Sequence, residues 1–236
     1  MSKIPVMEIF GPTIQGEGMV IGKKTMFVRT GGCDYKCSWC DSSFTWDGTG
    51  SSTAMTAEDI VAQLKEIGGD QFSHVTISGG NPALHKGIGK LIDLLSRENI
   101  QTAVETQGTF WQDWLKEITD ITISPKPPSS GMITDFTKLD VFYDRLSKEQ
   151  ASLKVVVFDD TDFAYAEDIH LRYPGFPFYL QVGNEDATTT NDQALVSDLL
   201  EKYEWLIDKA VASVTMNNAR VLPQLHTLVW GNKRGV

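Results

Sequence analysis

Residues 24–43 read KTMFVRTGGCDYKCSWCDSS, a short apolar run rich in β-formers that passes through Gly31-Gly32 into a loop carrying Cys33, Cys37 and Cys40. These are the only three cysteines in the chain, spaced C-x₃-C-x₂-C. A [4Fe–4S] cluster held by three thiolates keeps one iron free of protein ligands, and an open iron is where a small molecule can be bound and reduced. The competing use of clustered thiols is structural zinc, which usually closes with four ligands, commonly as two separated pairs. Here a second pair is missing, and the nearest downstream histidine is His74. An odd cysteine count with no secretory segment points to a reducing compartment and away from a disulfide.

Outward from this loop, His74–Ser78, Thr102–Thr106, Asp120–Ser124, Leu153–Phe158 and Phe178–Val182 read as buried strands in the manner of Lys24–Thr30. Thr56 with Asp59 makes a capping-box start for a helix to about Ile67, stopped by Gly68-Gly69, and Lys86–Glu98 and Asn191–Leu206 show helical apolar spacing. Strand followed by helix, repeated about six times, predicts an α/β chain whose parallel sheet curls into a full or partial (β/α)6 barrel. The 236 residues fit one such domain. Gly48–Ser52 and Ser129-Ser130-Gly131 read as mobile loops. In parallel βα folds chemistry sits beyond the carboxyl ends of the strands. The cysteine loop, Ser78-Gly79-Gly80-Asn81-Pro82, Glu105-Thr106-Gln107-Gly108 and Ser124-Pro125-Lys126 all fall there.

The formal charge of -10 and pI near 4.8 argue against a nucleic-acid surface, which needs clustered Lys and Arg. No apolar run is long enough to cross a bilayer, and MSKIPVMEIF lacks the regions of a signal peptide, so the expected location is cytoplasmic.

The cysteine spacing resembles that of the radical S-adenosylmethionine (SAM) enzymes. A closer resemblance is carried by EIFGPTIQGEG, FVRTGGC, WCDSSFTW, ISGGNPAL, ETQGT, ISPKPPS and VLPQLHTLVWGNKRGV. Together these segments resemble the 7-carboxy-7-deazaguanine synthase family in its Bacillus-like form. The resemblance implies a radical SAM barrel that contracts the ring of 6-carboxy-5,6,7,8-tetrahydropterin with loss of ammonia, on the way to queuosine and other 7-deazapurines. It implies a cluster on Cys33, Cys37 and Cys40, and SAM held by Ser38, Trp39, Asp41, Gly80, Glu105, Gln107, Ser124, Pro125 and Lys126. The glycines of SGGNP would offer free main-chain groups to the methionine end of SAM. Asn81 stands where the wider family more often has Glu, which separates that side chain from the family's role.

By the same resemblance Ile14, Gln15, Gly16, Glu17, Arg29, Ser78 and His226 would meet the pterin, within a substrate-binding segment 1–23 and a capping segment 215–236. Magnesium would sit on the hydroxyl of Ser42, a flavodoxin or ferredoxin-type protein would supply electrons, and the enzyme would be a homodimer. Lys23, Lys24, Arg29 and Lys36, flanking the cysteine loop in an acidic chain, form a candidate patch for an acidic donor. Each polar residue also has a plainer use: a surface turn for Gln15 and Glu17, an ion pair with a structural acid for Arg29, a satisfied core histidine for His226, a backbone-bonded loop serine for Ser42, and cluster shielding for Trp39. The rival functions are another radical SAM enzyme, such as a glycyl-radical activase, and a non-enzymatic metal-binding module that would leave TIQGEG, TQG and SPK without a task.

Overall fold

The structure is a computed structural model and describes residues 2–236. One sheet is built from β1 (Ile4–Ile14), β2 (Lys24–Thr30), β3 (Thr53–Met55), β4 (His74–Gly79), β5 (Gln101–Thr106), β6 (Asp120–Ile123), β7 (Ala151–Val157), β8 (Phe178–Val182) and β9 (Ala219–Leu222), in the order β3-β1-β2-β4-β5-β6-β7-β8-β9. From β2 through β9 every pairing is parallel, while β1 runs antiparallel to β2 and β3. Because β3 and β9 are the two edges, the sheet stays open as a partial barrel. The helices are α1 (Ala57–Gly68), α2 (Ile88–Arg97), α3 (Phe136–Arg145), α4 (Asp160–Arg172), α5 (Asp192–Ala212) and α6 (Leu225–Trp230).

The Thr56 capping box is present with both bonds, and α1 stops at Gly69 as read from the sequence. α5 runs on from Asn191, its N-cap, to Ala212, six residues past the expected end. No helix was expected at α3 or α4, whose short polar stretches each start at an aspartate cap, Asp135 and Asp159. Strand β1 also escapes a period-2 reading, since its register slips between Val6 and Glu8 and again between Phe10 and Thr13, around Gly11-Pro12. The Ser129–Gly131 segment is not a mobile loop. It is a tight turn in which Ser130 is buried and Ser129 donates from N and from Oγ to the Asp162 carboxylate at 3.0 and 2.5 Å.

Alternation along the strands separates core from cavity. Val75 and Ile77, Val104, Ile121 and Ile123, Leu153, Val155 and Val157 pack outward in the core under the helices. Their neighbours Ser78, Glu105, Ser124 and Lys154 line the cavity inside the barrel.

Candidate active site

The cysteine loop leaves β2 through Gly31-Gly32 and is fixed by main-chain bonds from Gly32 N to Thr45 O (2.7 Å), Asn81 N to Gly32 O (2.8 Å) and Ser38 N to Ser130 O (3.0 Å). Cys33, Cys37 and Cys40 line one cavity at the carboxyl ends of the strands. Gln107 Nε2 and Tyr35 N each donate to Cys33 Sγ at 3.4 Å, and Trp46 Nε1 donates to Cys40 Sγ at 3.4 Å. Burial pushes all three thiols up, that of Cys37 to about 11. They are therefore protonated at neutral pH when free, and binding a cluster must release protons. Three thiols on one fixed loop with N–H donors aimed at two of the sulfurs suit a cluster. The nearest downstream histidine does not complete a zinc site: His74 is buried at the start of β4, at the far end of the barrel, with Nδ1 2.8 Å from Thr25 Oγ1, while His226, in the cysteines' cavity, faces Glu17 at 3.7 Å. His85 Nε2 lies 2.8 Å from the Gly31 carbonyl.

Gly79 has φ of 124°, and a Cβ on it would lie 2.1 Å from Thr30 O; on Gly80 it would lie 2.0 Å from Gly32 O. Only glycine lets these strand ends close on the cysteine loop. The N–H groups of Gly80 and Asn81 are spent on Thr30 O and Gly32 O, which corrects the expectation that they are free for a ligand. Asn81 is fully buried, accepting from Thr106 Oγ1 at 2.8 Å and donating to Asp34 Oδ1 at 2.8 Å. Gln107 Nε2 donates to the same Asp34 oxygen at 2.6 Å. This side of the cavity also holds Trp39, Asp41, Ser124 and Lys126. Trp39 packs against Phe158 with centroids 4.8 Å apart and donates to Ser129 Oγ at 2.9 Å. Ser38 and Pro125 are not among the lining residues; Ser38 donates its hydroxyl to Ser129 O at 2.8 Å, and Pro125 is buried behind the wall.

Ile14, Gln15, Gly16, Glu17, Arg29, Ser42, Ser78 and His226 line the same cavity, and the Asp41 carboxylate comes within 4.8 Å of Glu17 and His226. Arg29 Nε pairs with Glu8 Oε1 at 2.7 Å, its NH1 donates to Ser42 Oγ at 2.8 Å, and its guanidinium lies 5.6 Å from the centroids of Phe10 and Phe44. The ion pair with a nearby acid is thus real, and Arg29 still faces the cavity. Ser42 Oγ donates to Asp41 Oδ1 at 3.1 Å. A Cβ on Gly16 would lie 2.6 Å from His226 Nδ1, so α6 closes directly on the loop after β1. Leu225 N donates to Gly16 O at 3.1 Å and Gln224 Nε2 to Glu17 Oε1 at 3.0 Å.

Two lining residues missed in the sequence are central: Gln224 and Lys154. The Lys154 ammonium, 2% exposed, contacts both Glu17, at 2.5 Å, and Glu105. Burial works against charge on Glu17, but Lys154, with His226 and Gln224, holds its carboxyl well below the usual carboxylate range. Burial likewise opposes charge on Lys154, and the two carboxylates overcome it and raise its pKa. Glu17 is therefore an ionised acceptor, and Lys154 a fixed cation that gives up no proton near neutral pH.

The proposed electron-donor patch does not form. Lys23 reaches Gln101 Oε1 (2.7 Å) and Asp120 Oδ2 (3.7 Å), at the amino ends of β5 and β6, and Lys24 opens β2. Both are at the opposite end of the barrel from the cysteines. Arg29 is inside the cavity, leaving Lys36 as the one member on the loop.

Residues 27–124 match the model of the radical SAM superfamily. Over all of both chains, the sequence is 64% identical to the 7-carboxy-7-deazaguanine synthase of Bacillus cereus. It is 63% identical to the synonymous protein of Bacillus subtilis, over 99% of this chain and 98% of the other. Among solved structures, QueE from Escherichia coli superposes with a TM-score of 0.68 at 23% identity, over 95% of each chain. Streptococcus suis SuiB bound to S-adenosylmethionine follows at 0.52 and 17% identity, over 83% of this chain and 46% of that one. With the cysteine loop, the glycine-bound strand ends and the open parallel barrel already in place, full-length identity at this level assigns the chain to the 7-carboxy-7-deazaguanine synthase family of radical SAM enzymes.

Proposed function

We propose that the protein converts 6-carboxy-5,6,7,8-tetrahydropterin to 7-carboxy-7-deazaguanine with loss of ammonia, in the supply of queuosine and related 7-deazapurines. The observation that carries this reading is one cavity that brings the thiol loop together with an ionised carboxylate, an arginine and amides. A cluster on Cys33, Cys37 and Cys40, with SAM, supplies one-electron chemistry when bound. The chain's own residues bind, orient and keep water out. Glu17, held ionised by Lys154, accepts from the amino and ring N–H donors of the pterin, and Gln15 reads the neighbouring edge. Arg29, stacked between Phe10 and Phe44, meets the substrate carboxylate. Ile14, Gly16, Ser78 and His226 complete the pterin wall, so the segments 1–23 and 215–236 act as substrate-binding and capping parts.

SAM would lie against Trp39, Asp41, Gly80, Glu105, Gln107, Ser124 and Lys126, with Ser38 and Pro125 supporting from outside the cavity. Like its relatives by resemblance, the enzyme would work as a cytoplasmic homodimer fed by a flavodoxin or ferredoxin-type donor. The test is anaerobic reconstitution with iron and sulfide followed by assay on 6-carboxytetrahydropterin. Product in excess of the SAM present supports the reading; one SAM consumed per turnover, or no product, overturns it.

Magnesium fits this site on its donor chemistry. Ser42 Oγ and the adjacent Asp41 carboxylate are hard oxygens 3.1 Å apart, although the Arg29 guanidinium occupies Ser42 in the structure. Arg29 therefore has to pass from Ser42 to the substrate carboxylate for a cation to enter, which makes magnesium binding depend on substrate. Ser42→Ala is expected to raise the Mg²⁺ concentration for half-maximal activity about tenfold with an unchanged cluster spectrum, whereas Ser42→Thr keeps the oxygen and stays near the parent value. Unchanged magnesium dependence in the Ala variant would reduce Ser42 to a loop serine.

A further inference from the structure

Lys154 stands between two carboxylates that the proposed function assigns to different ligands. Glu17 comes from the loop after β1 and would meet the pterin, and Glu105 comes from the end of β5 and would meet SAM. Both touch one ammonium that is almost completely buried on β7, with partners 137 positions away in one case. The other charged or titratable groups packed around the triad are few. His226 Nδ1 faces Glu17 at 3.7 Å, the Asp41 carboxylate comes within 4.8 Å of Glu17 and His226, and Tyr179, opposite Lys154 in the β7–β8 register, is held by Arg220 NH1 at 2.9 Å. One cation thus has to serve two anions in a place where water does little of the work.

Resting on the function proposed above, we propose that Lys154 is a positioning residue that couples the pterin half of the site to the SAM half. Its ammonium cannot move toward Glu17 without loosening Glu105, or the reverse. A ligand that draws on one carboxylate therefore changes how firmly the other is held, and the two ligands sense each other's presence through a single side chain. Because both anions lean on the same cation, removing it leaves two like charges near each other with no cation between them.

The test uses the full-length, cluster-reconstituted protein, with 6-carboxypterin as a non-reacting probe and SAM as the second ligand. Lys154→Met is expected to weaken both probe and SAM by about 100-fold, as breaking a buried ion pair does. Lys154→Arg, which keeps the charge, should stay within about tenfold of the parent. The decisive readout is a cross-effect. Glu105→Gln should weaken 6-carboxypterin about tenfold in the absence of SAM, because Lys154 then neutralises Glu17 more fully, and this effect should vanish in the Lys154→Met background. The Glu105→Gln arm keeps the proposal testable if Lys154→Met loses its cluster. Parent protein that binds the probe, combined with a Glu105→Gln variant that binds it equally well, overturns the coupling alone. Parent protein that does not bind the probe overturns the proposed function and the coupling with it.

Discussion

Replacing any one of Cys33, Cys37 or Cys40 with Ala is expected to abolish turnover and cluster absorbance together, while far-ultraviolet circular dichroism stays that of the parent protein. No second cysteine exists to take over, since the chain contains only these three. Three thiolates are the minimum that holds the cluster with one iron open. The fold survives because the loop is pinned by main-chain bonds of Gly32, Ser38 and Asn81 and owes little to the sulfurs. Metal analysis of anaerobically purified protein is the counter-measurement. Stoichiometric zinc without iron or sulfide would remove the radical reading altogether.

The next largest effect is expected at Gly80. A Cβ there would lie 2.0 Å from Gly32 O and 3.0 Å from Cys33 Cβ, and Gly80 N is already bonded to Thr30 O at 3.1 Å. Neither partner is the free end of a flexible side chain, so the main chain at Gly32-Cys33 has to move by about 1 Å, a displacement that costs on the order of 100-fold in rate. Gly80→Ala is therefore expected to bind less than a full cluster and to lower kcat by about 100-fold, with the rest of the sheet intact. Gly48→Ala, at φ of 87° but with nothing within 4 Å of the added carbon, is the control that adds backbone strain without a clash, whereas Gly80 has the clash without the positive φ. Parent-like cluster content and turnover in Gly80→Ala would show that the strand ends are not held as described.

Much of this arrangement was legible because it is local. β2 and β8 were read to the residue, and the Thr56–Asp59 box marked the start of α1, since β-branched runs and caps leave their signal within a few positions. What was missed depends on long-range packing. Lys154 sits inside LKVVVF, where a lysine in an otherwise buried strand was the one hint that an inward-facing position needed a charge. Its two carboxylate partners come from elsewhere in the chain. β1 was hidden because Gly11-Pro12 interrupts its alternation. The lysine patch failed for a geometric reason: neighbours in sequence flank a strand of seven residues, which at about 3.3 Å per residue puts the two sides roughly 20 Å apart. Gln15, Glu17 and His226, grouped in the sequence only through the family resemblance, come to one cavity from opposite ends of the chain because the barrel brings the loop after β1 against α6.

The contact of α6 with the loop after β1 ties the end of the chain to its beginning at the rim of the cavity. Gln224 and Glu17 are bonded across 207 positions, and they join β9, an edge strand paired only with β8, to the first turn beyond β1. Such a peripheral unit opens by partial unfolding at far less cost than the central strands. Residues 219–231 are therefore expected to open as a unit of their own: their amides should exchange with deuterium sooner than those of β4 through β7, and slow once a ligand fills the space beside Gln224 and His226. The end of the chain can then loosen and re-form while the thiol loop, pinned by main-chain bonds to Thr45, Ser130 and Asn81, stays in place.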